Sequence, residues 1–219
     1  PVVLLPGALA ARAEALGTAF VGSLSLFAGQ FCTNPGMVIA LDSPDLDRFV
    51  ASAATALSAN QPHVMLTPGI HAAYEKGVAA LAGAEGVTTV ARGAEAEGVN
   101  LAQSALFATS GEQFRTNPAL SHEVFGSSSI LVKCATIEEV IATIAQMEGQ
   151  LTATLQMDES DNDNAAKLLP TLSRKVGRVL ANGWPTGVEV THAMVHGGPF
   201  PSTSDGRTTS VGTLAMMRF

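Results

Sequence analysis

Short apolar runs alternate along this chain with helix-start signals, and no other feature limits its fold so strongly. Met37-Val38-Ile39-Ala40-Leu41 reads as a buried strand. It is followed by Ser43-Pro44-Asp45, which supplies an N-cap, a proline at the first helical position and an acid in the first turn. That combination predicts a helix to about Ala59. Thr67-Pro68 repeats the signal for a helix through about Leu81, and an earlier helical pattern runs from Ala8 to about Leu24. Further strands are expected at 87–91, 103–109, 128–134, 152–157 and 178–181. Thr136 with Glu139 forms a capping-box pattern for a helix through about Met147. A last helical pattern, 164–176, contains Pro170, which should kink or divide it. This order predicts an α/β fold, a mainly parallel sheet covered by helices on both faces. Right-handed crossovers would gather loops along one edge of the sheet, where open α/β sheets bind ligands.

At 219 residues the chain suits one large domain able to bury a sizeable core. Hydrophobic residues make up 47% and charged residues 14%, a balance expected where a domain covers one face with a neighbour, although an alanine-rich chain shows it too. No apolar stretch reaches the roughly 18 residues of a membrane span. A net charge of −7 without basic clusters argues against nucleic acid, whose phosphates demand Lys and Arg. Two distant cysteines, Cys32 and Cys134, fit a reducing compartment, with cytoplasm the default. The apolar opening Pro1-Val2-Val3-Leu4-Leu5-Pro6, without a methionine, reads as a chain whose first residue lies inside a domain and not as a signal peptide.

Candidate chemistry centres on Leu26-Phe27-Ala28-Gly29-Gln30-Phe31-Cys32-Thr33-Asn34-Pro35-Gly36. Gly29 and Gly36 permit backbone conformations closed to other residues, and Asn34-Pro35 favours a turn. Cys32 is therefore expected on a loop just after a helix, where reactive groups are often displayed. A thiol so placed acts as a nucleophile once it becomes a thiolate. The plainer reading of a lone cysteine, from spacing and neighbours, is a small buried hydrophobe.

The stretch 29–36 resembles the catalytic-cysteine motif of aldehyde dehydrogenases, and most of all the NADP-preferring branch of 2-oxoglutarate semialdehyde and fatty aldehyde dehydrogenases. Three more stretches follow in the family's order. Glu123-Val124-Phe125-Gly126 resembles the E-x-F-G motif that contacts the nicotinamide riboside, with Ser127 where many members carry proline. Residues 182–189, Asn-Gly-Trp-Pro-Thr-Gly-Val-Glu, resemble the branch's later strand and loop. Residues 196–203, His-Gly-Gly-Pro-Phe-Pro-Ser-Thr, resemble its substrate-side loop.

The resemblance spans the whole chain and implies a three-layer catalytic domain over 1–219, with the cofactor-binding domain and general-base glutamate upstream and a pairing strand downstream. It implies a cytoplasmic, homo-oligomeric oxidoreductase using NADP or NAD on a small semialdehyde, with neither nucleic acid nor membrane as partner. Cys32 would be the catalytic nucleophile. Glu123 and Phe125 would hold the cofactor, through the ribose hydroxyls and beside the nicotinamide ring, and Phe31, His196, Gly197 and Phe200 would face the substrate. A cysteine hydrolase with Cys32 paired to a histidine is the alternative, and it leaves Glu123-Val124-Phe125-Gly126 without a purpose. An isolated unit serving only folding or assembly is the non-enzymatic one.

The remaining motifs carry less. His192 and His196 stand at an i, i+4 spacing near Glu189, but the surrounding glycines and Pro199 argue against the helix that a metal pair needs, so no metal is expected. Cys134 closes an apolar strand and reads as structural. Gly197-Gly198 lacks the Lys-Ser/Thr and helix start of a phosphate loop.

Overall fold

A computed structural model describes residues 1–187 and 191–218. In chain order the elements are β1 (Val2–Leu4), α1 (Pro6–Ser25), β2 (Met37–Leu41), α2 (Pro44–Ser58), β3 (His63–Val64), α3 (Pro68–Ala82), β4 (Val87–Arg92), β5 (Leu101–Ala102), β6 (Ala105–Ser110), α4 (Gly111–Thr116), β7 (Ser128–Cys134), α5 (Ile137–Gln146), β8 (Gln150–Gln156), α6 (Asn162–Lys175) and β9 (Val176–Ala181). Seven strands form one sheet in the order β4-β6-β7-β2-β1-β8-β9, and β3 and β5 form a small antiparallel pair. Every pairing in the large sheet is parallel except β4 with β6. This is the expected α/β architecture.

Register alternation divides the core in two. Val2, Leu4, Val38, Ala40, Leu106 and Leu131 point to the face covered by α1 and α2, where they meet Leu9, Phe20, Leu24, Phe49 and Leu57. Val3, Ile39, Phe107, Ile130, Ala153 and Leu155 point the other way, toward Tyr74 and Val78 of α3, Phe114 of α4, Val140 and Ile144 of α5, and Leu168 and Leu172 of α6. Each fully buried Val, Leu, Ile or Phe side chain contributes about 1.5–3 kcal/mol relative to exposure.

The helix-start signals act through their side chains. Ser43 Oγ accepts from Leu46 N at 3.1 Å, Thr67 Oγ1 from Ile70 N at 3.2 Å and Thr136 Oγ1 from Glu139 N at 3.2 Å. The expected capping box at Thr136 is displaced by one residue, because the Glu139 carboxylate accepts from Ala135 N at 2.6 Å and not from Thr136 N. That hydrogen bond and the Arg115 guanidinium at 2.9 Å hold the carboxyl below the ordinary carboxylate range. α6 runs through Pro170 undivided. Pro170 and Ala166, whose carbonyl loses its donor, both lie on the solvent side, where water can take that donor's place.

Two expectations need correcting. The opening apolar run, unassigned as an element, forms β1, hydrogen-bonded between β2 and β8 near the centre of the sheet. Gln103 lies before β6, since its side chain turns back to donate to the Gly93 carbonyl at 2.7 Å and accept from Arg92 at 2.9 Å.

Candidate active site

α1 carries the chain from the carboxyl end of β1 to the amino end of β2, and Cys32 lies in the connection that follows. After α1 the backbone makes a left-handed turn, with φ of 48° at Phe27, 59° at Ala28 and 67° at Gly29. Only glycine adopts that region freely, so Phe27 and Ala28 must be held there by their surroundings. Gln30 helps, donating to the Phe27 carbonyl at 3.1 Å and accepting from Leu66 N at 3.0 Å. A Cβ on Gly29 would fall 2.3 Å from the Gly126 carbonyl carbon. Asn34 Nδ2 donates to the Gly126 oxygen at 2.9 Å, and Ser129 Oγ to the Pro35 oxygen at 2.7 Å. The cysteine loop is thus strapped to the segment containing Glu123 and Phe125.

Cys32 is exposed, as a displayed nucleophile must be. Its Sγ lies 3.0 Å from His196 Nε2. His196 itself is buried and fixed through its backbone: its N–H donates to Thr209 Oγ1 at 2.7 Å, while its carbonyl accepts from Ser210 N and Oγ, both at 3.2 Å. Burial, and secondarily the Arg178 charge, hold the imidazole below its ordinary value. It is therefore neutral near pH 7 and has a lone pair to take the thiol proton. Cys134 is the opposite case: buried, with its thiol pushed up to about 11 by burial.

A cleft of about 810 Å³ opens in front of Cys32, lined by Phe31, Glu123, Phe125, Met37, Ser128 and Gln150 among others. That size suits a small substrate together with one end of a cofactor. Met37, Ser128 and Gln150 begin their strands, so the cleft lies at the amino ends of the parallel strands. This corrects the analogy with open sheets that bind at the carboxyl ends. Those ends carry the starts of α1, α2 and α5, whereas the thiol loop enters β2 from the opposite side.

The structure brings Phe31, Cys32, Glu123, Phe125 and His196 together. Phe31, Cys32, Glu123 and Phe125 line the cleft, His196 meets Cys32 from outside its lining, and two other expected residues also lie outside it. Gly197 packs on β9, where a Cβ on Gly177 would collide with its carbonyl oxygen, and Phe200 is 81% exposed. His196, expected on the substrate side, meets the thiol directly. Its signal was the free histidine weighed as a partner for Cys32 in the hydrolase alternative. Asn34 was read only as a turn former, yet it ties the two loops. His192 Nδ1 bonds Thr213 Oγ1 at 2.8 Å, and among the described residues no group of three metal-ligating side chains comes together. Of the 182–189 stretch, Trp184 packs on Phe20 and Thr186 donates to the Ser23 carbonyl at 3.2 Å, while Val188 and Glu189 lie outside the described residues. No described helix is long and apolar enough to cross a membrane.

No family model matches the chain. It is 54% identical over its whole length to alpha-ketoglutaric semialdehyde dehydrogenase 2 of Azospirillum brasilense, and 45% identical to alpha-ketoglutaric semialdehyde dehydrogenase of Acinetobacter baylyi. In each case the chain spans 42% of the relative's length. Its fold matches that of a betaine aldehyde dehydrogenase from Staphylococcus aureus solved in complex with NAD+, at a TM-score of 0.77 and 17% identity, covering 100% of this chain and 44% of that one. The chain belongs to the aldehyde dehydrogenase superfamily. Within it, the sequence groups with the 2-oxoglutarate semialdehyde branch.

Proposed function

We propose that residues 1–219 form the catalytic domain of an NAD(P)-dependent dehydrogenase that oxidises a semialdehyde, with 2-oxoglutarate semialdehyde the foremost candidate, to its acid. The observation that carries this reading is the exposed Cys32 thiol, 3.0 Å from a neutral histidine nitrogen, in one cleft with Glu123 and Phe125. Cys32 Sγ adds to the aldehyde carbon as His196 Nε2 takes the thiol proton, giving a thiohemiacetal. The Cys32 backbone N–H is the donor this loop offers to the oxyanion. Loss of hydride from that carbon leaves a thioester on Cys32, which water then hydrolyses. The nicotinamide supplies the hydride acceptor. The cleft suits it: the Glu123 carboxylate can accept from ribose hydroxyls, and Phe125, 38% exposed, offers a flat apolar face.

The thiol–imidazole pair alone would serve a hydrolase equally well. The relatives' chemistry and the placement of Glu123 and Phe125 favour oxidation. NADP over NAD and pairing with further copies of itself follow the branch resemblance, and two free cysteines suit a cytoplasmic enzyme. The test is to assay an intact protein carrying this sequence with 2-oxoglutarate semialdehyde and either nicotinamide cofactor. Cys32-dependent reduction supports the reading. Release of thiol from thioesters without any reduction would make the protein a hydrolase.

A further inference from the structure

α3 carries alanine at its exposed positions 72, 73, 79 and 80, yet glycine at the half-buried position 77 in its interior. Glycine there costs helix stability relative to alanine, so its place calls for a packing reason. Tyr74, Gly77, Val78 and Leu81 share one helix face at spacings of three and four, and Tyr74, Val78 and Leu81 are buried. A Cβ on Gly77 would lie 2.9 Å and 3.0 Å from the two methyls of Val124, and 3.4 Å from its Cβ. Val124, the residue between Glu123 and Phe125, sits in the notch that the missing side chain leaves. Both of its methyls meet that notch. Rotating this stiff, β-branched side chain would not clear a filled notch, and the backbone would have to move.

Just beyond Val124 the loop is held firmly. The Tyr74 hydroxyl donates to the Gln103 carbonyl at 2.8 Å and reaches the Ser127 carbonyl at 3.1 Å. A Cβ on Gly126 would fall 2.3 Å from the Tyr74 ring, and Asn34 donates to the Gly126 carbonyl at 2.9 Å. A push from position 77 therefore cannot be absorbed at 126–127. It passes to Glu123 and Phe125, which are exposed and line the cleft. We propose that Gly77 and Val124 form a seat that sets the height of Glu123 and Phe125 in the cleft, which makes Gly77 a positioning residue for the nicotinamide end of the cofactor. The proposal rests on reading Glu123 and Phe125 as the cofactor contacts, and it adds the helix residue that places them.

The experiment takes an intact protein carrying this sequence and titrates it with reduced nicotinamide cofactor, followed by fluorescence without aldehyde. Steady-state kinetics and thermal unfolding run beside it. Gly77→Ala should raise the cofactor Kd and KM on the order of tenfold and leave the aldehyde KM within about twofold. Adding Val124→Ala should recover most of that loss, because the smaller side chain makes room for the new methyl. Val124→Ala alone leaves the helix untouched and should raise the cofactor Kd about threefold by emptying the seat. Gly77→Ala should also lower the unfolding midpoint and the double variant restore it, whereas alanine for glycine in an unobstructed helix raises it. A raised midpoint, cofactor binding equal to the parent's in either single variant, or a loss that the double variant does not relieve overturns the proposal. A parent that binds no nicotinamide overturns the dehydrogenase reading and the positioning role with it, and the midpoints then show whether the seat exists.

Discussion

Asn34 donates its side-chain amide to the Gly126 carbonyl at 2.9 Å, across 92 residues of sequence. The thiol loop and the Glu123–Phe125 loop are therefore set against each other by the domain itself. Positioning of reacting groups can supply about 7–11 kcal/mol of a barrier, so this contact bears on rate as well as on fold.

Gly29→Ala should break that arrangement. The position combines a φ of +67° with a Cβ that would sit 2.3 Å from backbone at Gly126. Neither loop can give way without moving the other. A loss of about 2–4 kcal/mol is expected from strain and overpacking together. Urea unfolding measures it, and a variant as stable as the parent would show that the two loops do not meet as described.

The two thiols should differ sharply toward alkylation. Cys32 is exposed beside a proton acceptor, while Cys134 is buried with its thiol raised to about 11. Iodoacetamide near pH 8 should modify Cys32 alone in the folded chain, with Cys134 appearing only on denaturation. Labelling of Cys134 first would reverse the assignment.

His196 carries the pH dependence. Its folded value lies below the unfolded value of about 6.5, so as pH falls through that point the unfolded chain takes up a proton before the folded one does. Stability from this group is therefore full above about 6.5 and declines as pH drops toward the folded value, a loss that His196→Asn should remove. The same substitution should slow thioester formation by on the order of 100-fold, the lower range for a positioned acid–base group. Paired denaturation curves at several pH values and single-turnover rates would read the two effects separately.

Asp161 should prove important to α1 although it lies far along the chain. α1 has no side-chain cap of its own at Leu5, and the Asp161 carboxylate accepts instead from Gly7 N at 2.8 Å and Ala8 N at 3.0 Å. It also accepts from Asp158 N at 2.9 Å. Asp161→Ala leaves those buried donors without partners, a cost of about 1–3 kcal/mol. Thermal unfolding checks it, and the loss should be much smaller in Asp161→Asn, which keeps one acceptor.

Most of the sheet and its helices could be read locally because strand length, caps and prolines are local properties. β1 could not. Three residues, Val2–Leu4, carry no alternation, and only their partners in β2 and β8 make them a strand. The half-box at Thr136 failed for a related reason, since Arg115 arrives from another element to share the Glu139 carboxylate. In the site, Cys32, Glu123 and Phe125 belong to recognisable motifs. The His196–Cys32 contact spans 164 residues, and spacing along the chain cannot show that a loop folds back over the start of β2. Gly197 and Phe200 share a motif with His196, but a turn sends their neighbours in different directions.

β1 sits between β2 and β8, with partners from residues 38–40 on one side and 154–156 on the other. A ribosome making this segment releases β1 before either of its neighbours and must add some 150 residues before its second edge is covered. Until then β1 presents bare backbone and valine to the cell, and closure depends on pairing across long loops, which is slow. Chaperones that bind extended apolar chain would find their site here, well before the thiol meets its histidine.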